Sequence, residues 1–247
     1  MMRAIQIAQT GGPEVLVLRE LPKPVPGPGQ ALVKIEACGV NFIDVYLREG
    51  RYLAQLPFIP GQEGAGTVVV LGSGVTTVKV GDRVAWCHVT GSYAEFAAVP
   101  ASMLILVPAN ISTRQAAGAM LQGMTAHYLS HSTYAIQPGD SLLIHAGAGG
   151  VGLLLIQMAK RLGARVFTTV STDEKAALAQ EAGADEVIFS RGRISRAESA
   201  CLPMEMAFPW FTTRWAKPLS MAAWHVCGRA ACWRCTEDRA ERCRRST

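Results

Sequence analysis

The sequence of 247 residues contains no apolar run that approaches the ~18 residues of a membrane-spanning helix. Residues 1–12 also lack the long apolar core of a signal peptide. Charged residues make up only 17% of the chain and hydrophobic residues 49%, which is typical of a soluble globular protein. These observations predict a cytoplasmic protein without a membrane partner.

Cysteine and tryptophan are scarce before residue 190 and frequent after it. Cys38 and Cys87 are the only cysteines of the seven in that first part, and four of the five tryptophans follow it. Residues 1–190 carry 13 Lys and Arg against 14 Asp and Glu, so the formal charge of +5 arises in residues 191–247. The chain therefore joins two segments of different composition near residue 190.

Glycines interrupt an apolar stretch between Gly139 and Lys160. A buried strand is predicted over 142–145, and a helix over 151–162, with Gly147-x-Gly149-x-x-Gly152 between them. Strand, glycine turn and helix in this order are the context of a dinucleotide site, in which the helix N-terminus binds the pyrophosphate. The predicted cofactor contacts here are Ala148, Gly149, Gly150, Val151 and Gly152. A glycine-rich loop of another α/β protein is the alternative.

The pattern continues to alternate after the glycine turn. RVFTTV (165–170) predicts a second strand, Ser171 to Glu174 has the spacing of a capping box, and EVI (186–188) predicts a third strand. Gly163 and Gly183 are predicted to end the two helices. This βαβαβ order predicts a parallel, doubly wound half-sheet. A further capping box, Ser112 to Gln115, predicts a helix that runs toward Tyr134.

The first 110 residues predict a small β-rich domain of short strands. A hairpin is expected between Met2 and Arg19, and ALVKIEA (31–37) alternates like a half-buried strand. The proline-rich residues 22–29 predict a loop. Asn41 is predicted to lie at or near the N-cap of a short helix.

Residues beyond Phe189 show no sustained helical or strand period. One interpretation is a metal site built from Cys227, Cys232, Cys235, Cys243 and His225. A second is a nucleic-acid-binding arm, for which the arginines argue and the tryptophans and cysteines do not. The third, which we prefer, is out-of-frame translation of the end of a longer gene. It accounts for the lost periodicity, the excess of Arg, Cys and Trp, and the abrupt change.

Many motifs in residues 1–188 are similar to those of one family. These are Gly11–Leu16, Asn41–Asp44, Arg48–Tyr52, Gly81–Val84, Gly123–Ala126 and Gly139–Lys160. The chain resembles the quinone oxidoreductases related to zeta-crystallin, the zinc-free branch of the medium-chain dehydrogenases. The resemblance implies an α/β protein with a GroES-like catalytic domain (1–112), a truncated Rossmann-type sheet (113–190) and a tail (191–247) outside the fold. It also implies homodimers, and cofactor contacts from Asn41 and Thr125.

The related alcohol dehydrogenases bind a catalytic zinc, and two of their ligand positions are altered here. Asn41 stands where they have a cysteine, and Gln62 stands where they have a histidine. An amide is a poor ligand for Zn²⁺. We therefore expect no metal.

Without a metal, hydrogen-bond donors must stabilise the charge that develops on the substrate carbonyl oxygen during hydride transfer. Asn41, Tyr46 and Tyr52 are the candidates, with ordinary aromatic packing as the alternative for the two tyrosines. Asp44 completes the set of candidate catalytic residues, and for it we favour orientation of the helix over proton transfer.

Residues at the end of the second predicted strand of the nucleotide domain indicate whether the cofactor is NAD or NADP. Ser171 occupies the position where an NAD site carries an acid, and Lys175 follows one helical turn later. A hydroxyl and a cation suit a 2′-phosphate, which favours NADPH. The sequence thus predicts NADPH-dependent, zinc-independent reduction of a quinone or similar conjugated carbonyl. The alternative is a truncated or frameshifted remnant without activity; a nucleic-acid-binding protein is less favoured.

Overall fold

The computed structural model describes residues 1–190. The chain forms two compact units, Met1–Met124 and a second that begins at Thr125. The predicted domain boundary after residue 112 stays a prediction. The three interpretations of residues 191–247 lie outside the described residues. In the part that is described, no helix has the length and apolar character to cross a membrane.

Ten strands and four α-helices make up the described residues. They are β1 (Met2–Gln6), β2 (Val17–Leu21), β3 (Gln30–Cys38), α1 (Phe42–Arg48), β4 (Glu63–Leu71), β5 (Arg83–Cys87), β6 (Phe96–Pro100), β7 (Ile105–Leu106), α2 (Thr113–His127), β8 (Ser141–Ile144), α3 (Gly150–Arg161), β9 (Arg165–Val170), α4 (Asp173–Glu181) and β10 (Glu186–Phe189). A π-helical turn, Tyr128–Thr133, continues α2.

The first unit is built on an antiparallel sheet with the strand order β6-β3-β4-β5-β7. A separate hairpin pairs β1 with β2, which confirms the predicted N-terminal hairpin. Strand β3 alternates only in its second half, because Ala31, Leu32 and Val33 are all buried. Its first half is thus covered on both faces, and the valines around it form the core with the fully buried Trp86.

The second unit contains a parallel sheet with the order β10-β9-β8. This arrangement confirms the βαβαβ prediction, since α3 and α4 lie between successive strands in the chain. Ile156 on α3, Ala179 on α4 and Val166 on β9 are fully buried in one apolar core. Gly163 and Gly183 have positive φ angles of 83° and 108° directly after the two helices, as their predicted role requires.

The observed N-terminal caps of α1 and α2 agree with the predicted ones, and that of α4 differs. Asn41 is the N-cap of α1, and at the start of α2 the Ser112 Oγ accepts from the N–H of Gln115. The predicted capping box from Ser171 is wrong by one residue, since Thr172 caps α4 and its Oγ1 accepts from the N–H of Lys175. Ser171 lies one residue before the N-cap, and its Oγ accepts from Lys175 Nζ.

Candidate active site

Asn41 at the start of α1 is held by a buried carboxylate. Its side-chain Nδ2 donates to Oε1 of Glu63 over 2.7 Å, and the N–H of Leu121 donates to Oε2 of the same residue over 2.6 Å. Glu63 is fully buried, and Asn41 is 9% exposed. An amide nitrogen carries two hydrogens, so Nδ2 has one more to offer a ligand.

Glu63 was not predicted from the sequence as a site residue, although its neighbour Gln62 stands at a zinc-ligand position. Glu63 begins β4, where its side chain lies against Gly39. A Cβ at Gly39 would meet Oε1 at 1.9 Å, so only glycine leaves room for the carboxylate. The sequence signal for Glu63 was a charged residue close to glycines on both sides, in Gly61-Gln62-Glu63-Gly64.

Asp44 is engaged by groups from three segments of the first unit. Its Oδ2 accepts from the backbone N–H of Asn41 at 2.9 Å and from the hydroxyl of Tyr93 at 3.0 Å. Burial raises the pKa of Asp44, and the bonds from Asn41, Tyr93 and the backbone of Gly61 oppose that rise. These contacts join Asp44 to the start of α1 and to Tyr93, and its predicted orienting role stays a prediction.

Tyr93 was also missed. Burial, followed by the nearby Asp44 carboxylate, raises the pKa of its hydroxyl, so it stays a protonated donor at neutral pH. Its position depends on the loop before it, in which Pro60 O accepts from the Tyr93 N–H over 3.0 Å. Nothing in the spacing of the sequence links this loop to α1.

The structure brings Tyr46 and Tyr52 together. Their ring centroids lie 5.5 Å apart at an interplanar angle of 77°, and the N–H of Tyr52 donates to the Tyr46 carbonyl over 3.3 Å. The guanidinium of Arg51 lies 5.6 Å from the centre of the Tyr46 ring. Tyr46 is half-buried and Tyr52 is 44% exposed, so the edge-to-face pair borders on solvent.

The two amides at the zinc-ligand positions are committed to hydrogen bonds. Asn41 donates to Glu63, and Gln62 Nε2 donates to Thr90 Oγ1 over 2.7 Å. Among residues 1–190, no three His, Cys, Asp or Glu side chains converge in a way that could hold a metal ion. The donor set at these positions does not fit a catalytic zinc.

The glycine turn of the second unit joins β8 to α3, and neighbouring atoms lie too close for a side chain at Gly147 or Gly152. A Cβ at Gly147 would meet Thr168 Oγ1 at 1.9 Å, and one at Gly152 would meet the Ala146 carbonyl at 2.5 Å. Ala146 has a positive φ of 54°, and Thr169 Oγ1 accepts from its N–H over 3.1 Å. Glycines thus permit close strand–helix packing, and two threonines of β9, which the sequence analysis did not name, hold the turn.

The start of α3 presents backbone donors. Gly149 is the N-cap and provides no capping side chain, and the first intrahelical bond runs from Leu153 N–H to Gly149 O. The N–H groups of Gly150, Val151 and Gly152 precede that bond and have no partner within the helix. Together with the helix dipole they form the kind of cradle that binds a phosphate. The predicted contacts from Ala148 to Gly152 all lie in this turn.

Ser171 and Lys175 meet at the carboxyl end of β9, with Lys175 Nζ donating to Ser171 Oγ over 3.0 Å. Ser171 is half-buried and Lys175 is exposed, so both can be reached from solvent. Their spacing in the sequence predicted that the two side chains would lie close together. Thr125, the remaining predicted contact, lies in α2 and is half-buried.

Known protein families match parts of both units. The family model of the alcohol dehydrogenase GroES-like domain matches residues 27–109, and that of the zinc-binding dehydrogenases matches residues 150–201. The solved structure of an Escherichia coli quinone oxidoreductase complexed with NADPH is 37% identical, with a TM-score of 0.82. The match covers 91% of this chain and 69% of that one. The chain belongs to the quinone oxidoreductase family of medium-chain dehydrogenases.

Other relatives are similar over most of this chain. A Pseudomonas aeruginosa quinone oxidoreductase is 46% identical over 199 residues, which is 79% of this chain and 61% of the relative. A mycobacterial protein solved in complex with NADPH is 52% identical, with a TM-score of 0.75 over 76% of this chain and 59% of that one. The chain spans 55% to 61% of the length of the first curated relatives it matches.

Proposed function

We propose that this member of the quinone oxidoreductase family reduces a quinone, or a similar conjugated carbonyl compound, with NADPH. The observation that carries the proposal is the contact between Ser171 and Lys175, 3.0 Å apart at the end of β9. A hydroxyl donor and an ammonium group suit a ribose 2′-phosphate, whereas the acid of an NAD site would repel it. Two relatives were solved in complex with NADPH, which supports the same cofactor.

The residues present fit this cofactor. The N–H groups of Gly150, Val151 and Gly152 would hold its pyrophosphate at the start of α3, next to Ala148 and Gly149. Ser171 and Lys175 would hold the 2′-phosphate. Asn41 and Thr125 are proposed as further contacts. When bound, NADPH supplies the hydride.

We propose that hydrogen-bond donors of the protein stabilise the substrate carbonyl oxygen as it gains negative charge. The second hydrogen of Asn41 Nδ2 is a fixed donor for this purpose, because Glu63 orients the amide. Tyr46 and Tyr52 are the other proposed donors. Asp44 orients the start of α1 and accepts from Tyr93, and it transfers no proton in this scheme. A quinone is easily reduced, so positioning without a strong general acid suffices.

The reaction is proposed to need no zinc, because amides that already donate to Glu63 and Thr90 occupy the two ligand positions. We further propose that the protein is cytoplasmic and forms homodimers. The test of the function is NADPH oxidation by the purified 247-residue chain with 1,4-naphthoquinone, before and after treatment with a chelator. We expect quinone-dependent oxidation that the chelator leaves unchanged. Loss with the chelator and recovery with Zn²⁺ would refute zinc independence, and absence of both NADPH binding and oxidation would refute the proposal.

A further inference from the structure

An open pocket of about 410 Å³ lies in the first unit, between the end of β3 and the segment that leads into β6. Pockets of this size hold small organic molecules. Asn41, the donor proposed for the substrate carbonyl, is not among the lining residues described. Most of the lining is apolar and comes from Ile5, Ile35, Ala37, Val40 and Ala94.

Backbone hydrogen bonds hold the walls of this pocket together. The N–H of Ile5 donates to the Tyr93 carbonyl over 2.8 Å, and the N–H of Ile35 donates to the Glu95 carbonyl over 2.9 Å. The segment from Tyr93 to Glu95 is therefore bonded to β1 on one side and to β3 on the other. The pocket is part of the folded unit and needs no rearrangement to form.

Ser92 lines the pocket with a buried hydroxyl. The residue is 1% exposed, and its Oγ has no hydrogen-bond partner among residues 1–190. Gly61 leaves the space that the hydroxyl occupies, since a Cβ there would meet Ser92 Oγ at 2.2 Å. A buried hydroxyl without a partner is unfavourable, so a ligand that offers an acceptor gains by bonding to it.

Cys38 brings a reactive atom to the same pocket. It is the last residue of β3, it pairs with Gly64 of β4, and its side chain is exposed. Two carboxylates, of Glu36 and Glu95, also line the pocket, and none of the lining residues described is cationic. This charge disfavours anions. A neutral, flat, apolar molecule with a carbonyl oxygen and an electrophilic carbon suits the lining.

We propose that the pocket binds a quinone, whose carbonyl oxygen accepts from Ser92 Oγ, and that Cys38 adds covalently to the bound ring. The sulfur forms a bond to an unsubstituted ring carbon, and the π electrons of the attacked C=C bond move through the conjugated carbonyl to its oxygen. The thiol proton and the hydrogen of the attacked carbon end on the two oxygens. The product is a hydroquinone thioether, so the addition consumes no outside reductant. The choice of a quinone rests on the proposed function, and the addition itself goes beyond it.

Binding, and not an activated thiol, is what makes this addition specific. Burial, followed by the Asp44 and Glu63 carboxylates, raises the pKa of the Cys38 thiol. The thiol is therefore protonated at neutral pH and reacts slowly with electrophiles in solution. A ring held beside the sulfur reacts faster because the encounter is already made. The other titratable groups that line the pocket are Glu36, Tyr93 and Glu95.

The experiment treats the full chain with 1,4-naphthoquinone in the absence of NADPH and follows the adduct by mass spectrometry. Trypsin releases Cys38 in a peptide of residues 35–48 that contains no other cysteine. We expect the rate of modification of this peptide to saturate as the quinone concentration rises. 2,3-Dimethyl-1,4-naphthoquinone has no free ring position between its carbonyls and should protect Cys38 by occupying the pocket. A rate that stays linear in quinone, or an absence of protection, would overturn the proposal.

Variants test the role of the buried hydroxyl. Ser92→Ala should slow the addition of naphthoquinone to Cys38 about fivefold, through the loss of one hydrogen bond, and leave the rate with iodoacetamide unchanged. Ser73→Ala, at an exposed serine of the same unit, is the matched control and should behave like the wild type. Equal naphthoquinone rates for Ser92→Ala and the wild type would overturn the proposal. No step needs NADPH, so failure of the proposed reduction is a separate result.

Discussion

The carboxylate of Glu63 and the side-chain amide of Asn41 are joined by a buried hydrogen bond of 2.7 Å. The N–H of Leu121 donates to the other carboxylate oxygen of Glu63. Glu63 therefore connects the start of α1, the start of β4 and the middle of α2 within one unit. The bond fixes which way the Asn41 amide faces. In the reaction that we propose, this fixed orientation preorganises the amide as a hydrogen-bond donor.

Replacement of Glu63 by alanine should destabilise the chain, because it leaves two buried donors without an acceptor. We expect a loss of about 3 kcal/mol in the free energy of unfolding, measured by urea denaturation. Glu63→Gln keeps the shape and one acceptor oxygen, so it should cost less than half as much. Equal losses for the two variants would show that the cost arises from packing and not from the hydrogen bonds.

Local sequence patterns predicted the parts of this chain in which neighbours in sequence are also neighbours in space. The strand, glycine turn and helix around Gly147 are of this kind, as is the pair Ser171 and Lys175, one helical turn apart. Glu63 and Tyr93 escaped prediction because their partners lie 22 and 49 residues away, in segments joined only by the folding of the first unit. The cap of α4 at Thr172 rather than Ser171 is a local difference of one residue, since Ser171 and Thr172 both carry a hydroxyl that can cap a helix.

The proposed 2′-phosphate site gives a prediction about cofactor selectivity. Lys175→Ala removes a charge-assisted contact worth about 1.5–3 kcal/mol, so the Kd for NADPH should rise roughly tenfold or more. The Kd for NADH should barely change, because NADH lacks the phosphate. Fluorescence titrations with both cofactors measure this, and Lys79→Ala, an exposed lysine in the first unit, is the control. Parallel losses for both cofactors would mean that Lys175 does not contact the phosphate.

Two glycines should respond to alanine in opposite directions. Gly147→Ala places a Cβ 1.9 Å from Thr168 Oγ1, which is itself bonded to the Ile144 carbonyl, so the strand and the helix must separate. We expect a loss of about 1–3 kcal/mol and weaker NADPH binding. Gly118 lies inside α2 with nothing within 4 Å of an added Cβ, so Gly118→Ala should stabilise by about 0.4–1 kcal/mol. Thermal unfolding of the two variants compares them directly; a neutral Gly147→Ala would contradict the packing argument.

The bond between Tyr93 and Asp44 should become more valuable as the pH rises. Burial raises the pKa of Asp44 in the folded chain, so its carboxyl binds a proton more readily than in the unfolded chain. Stability from this group is therefore fully present below the ordinary carboxyl pKa of about 3.9 and is lost as the pH rises through the higher folded pKa. The Tyr93 hydroxyl limits that loss because it donates to the charged form. Tyr93→Phe should cost about 1.5–3 kcal/mol at neutral pH and distinctly less at about pH 3, below the ordinary carboxyl pKa, where Asp44 is protonated in both states. Urea denaturation at the two pH values measures the difference, with the exposed Tyr128→Phe as the control that should show none. A cost that is equal at both pH values, or larger in acid, would mean that the hydroxyl does not stabilise an ionised Asp44.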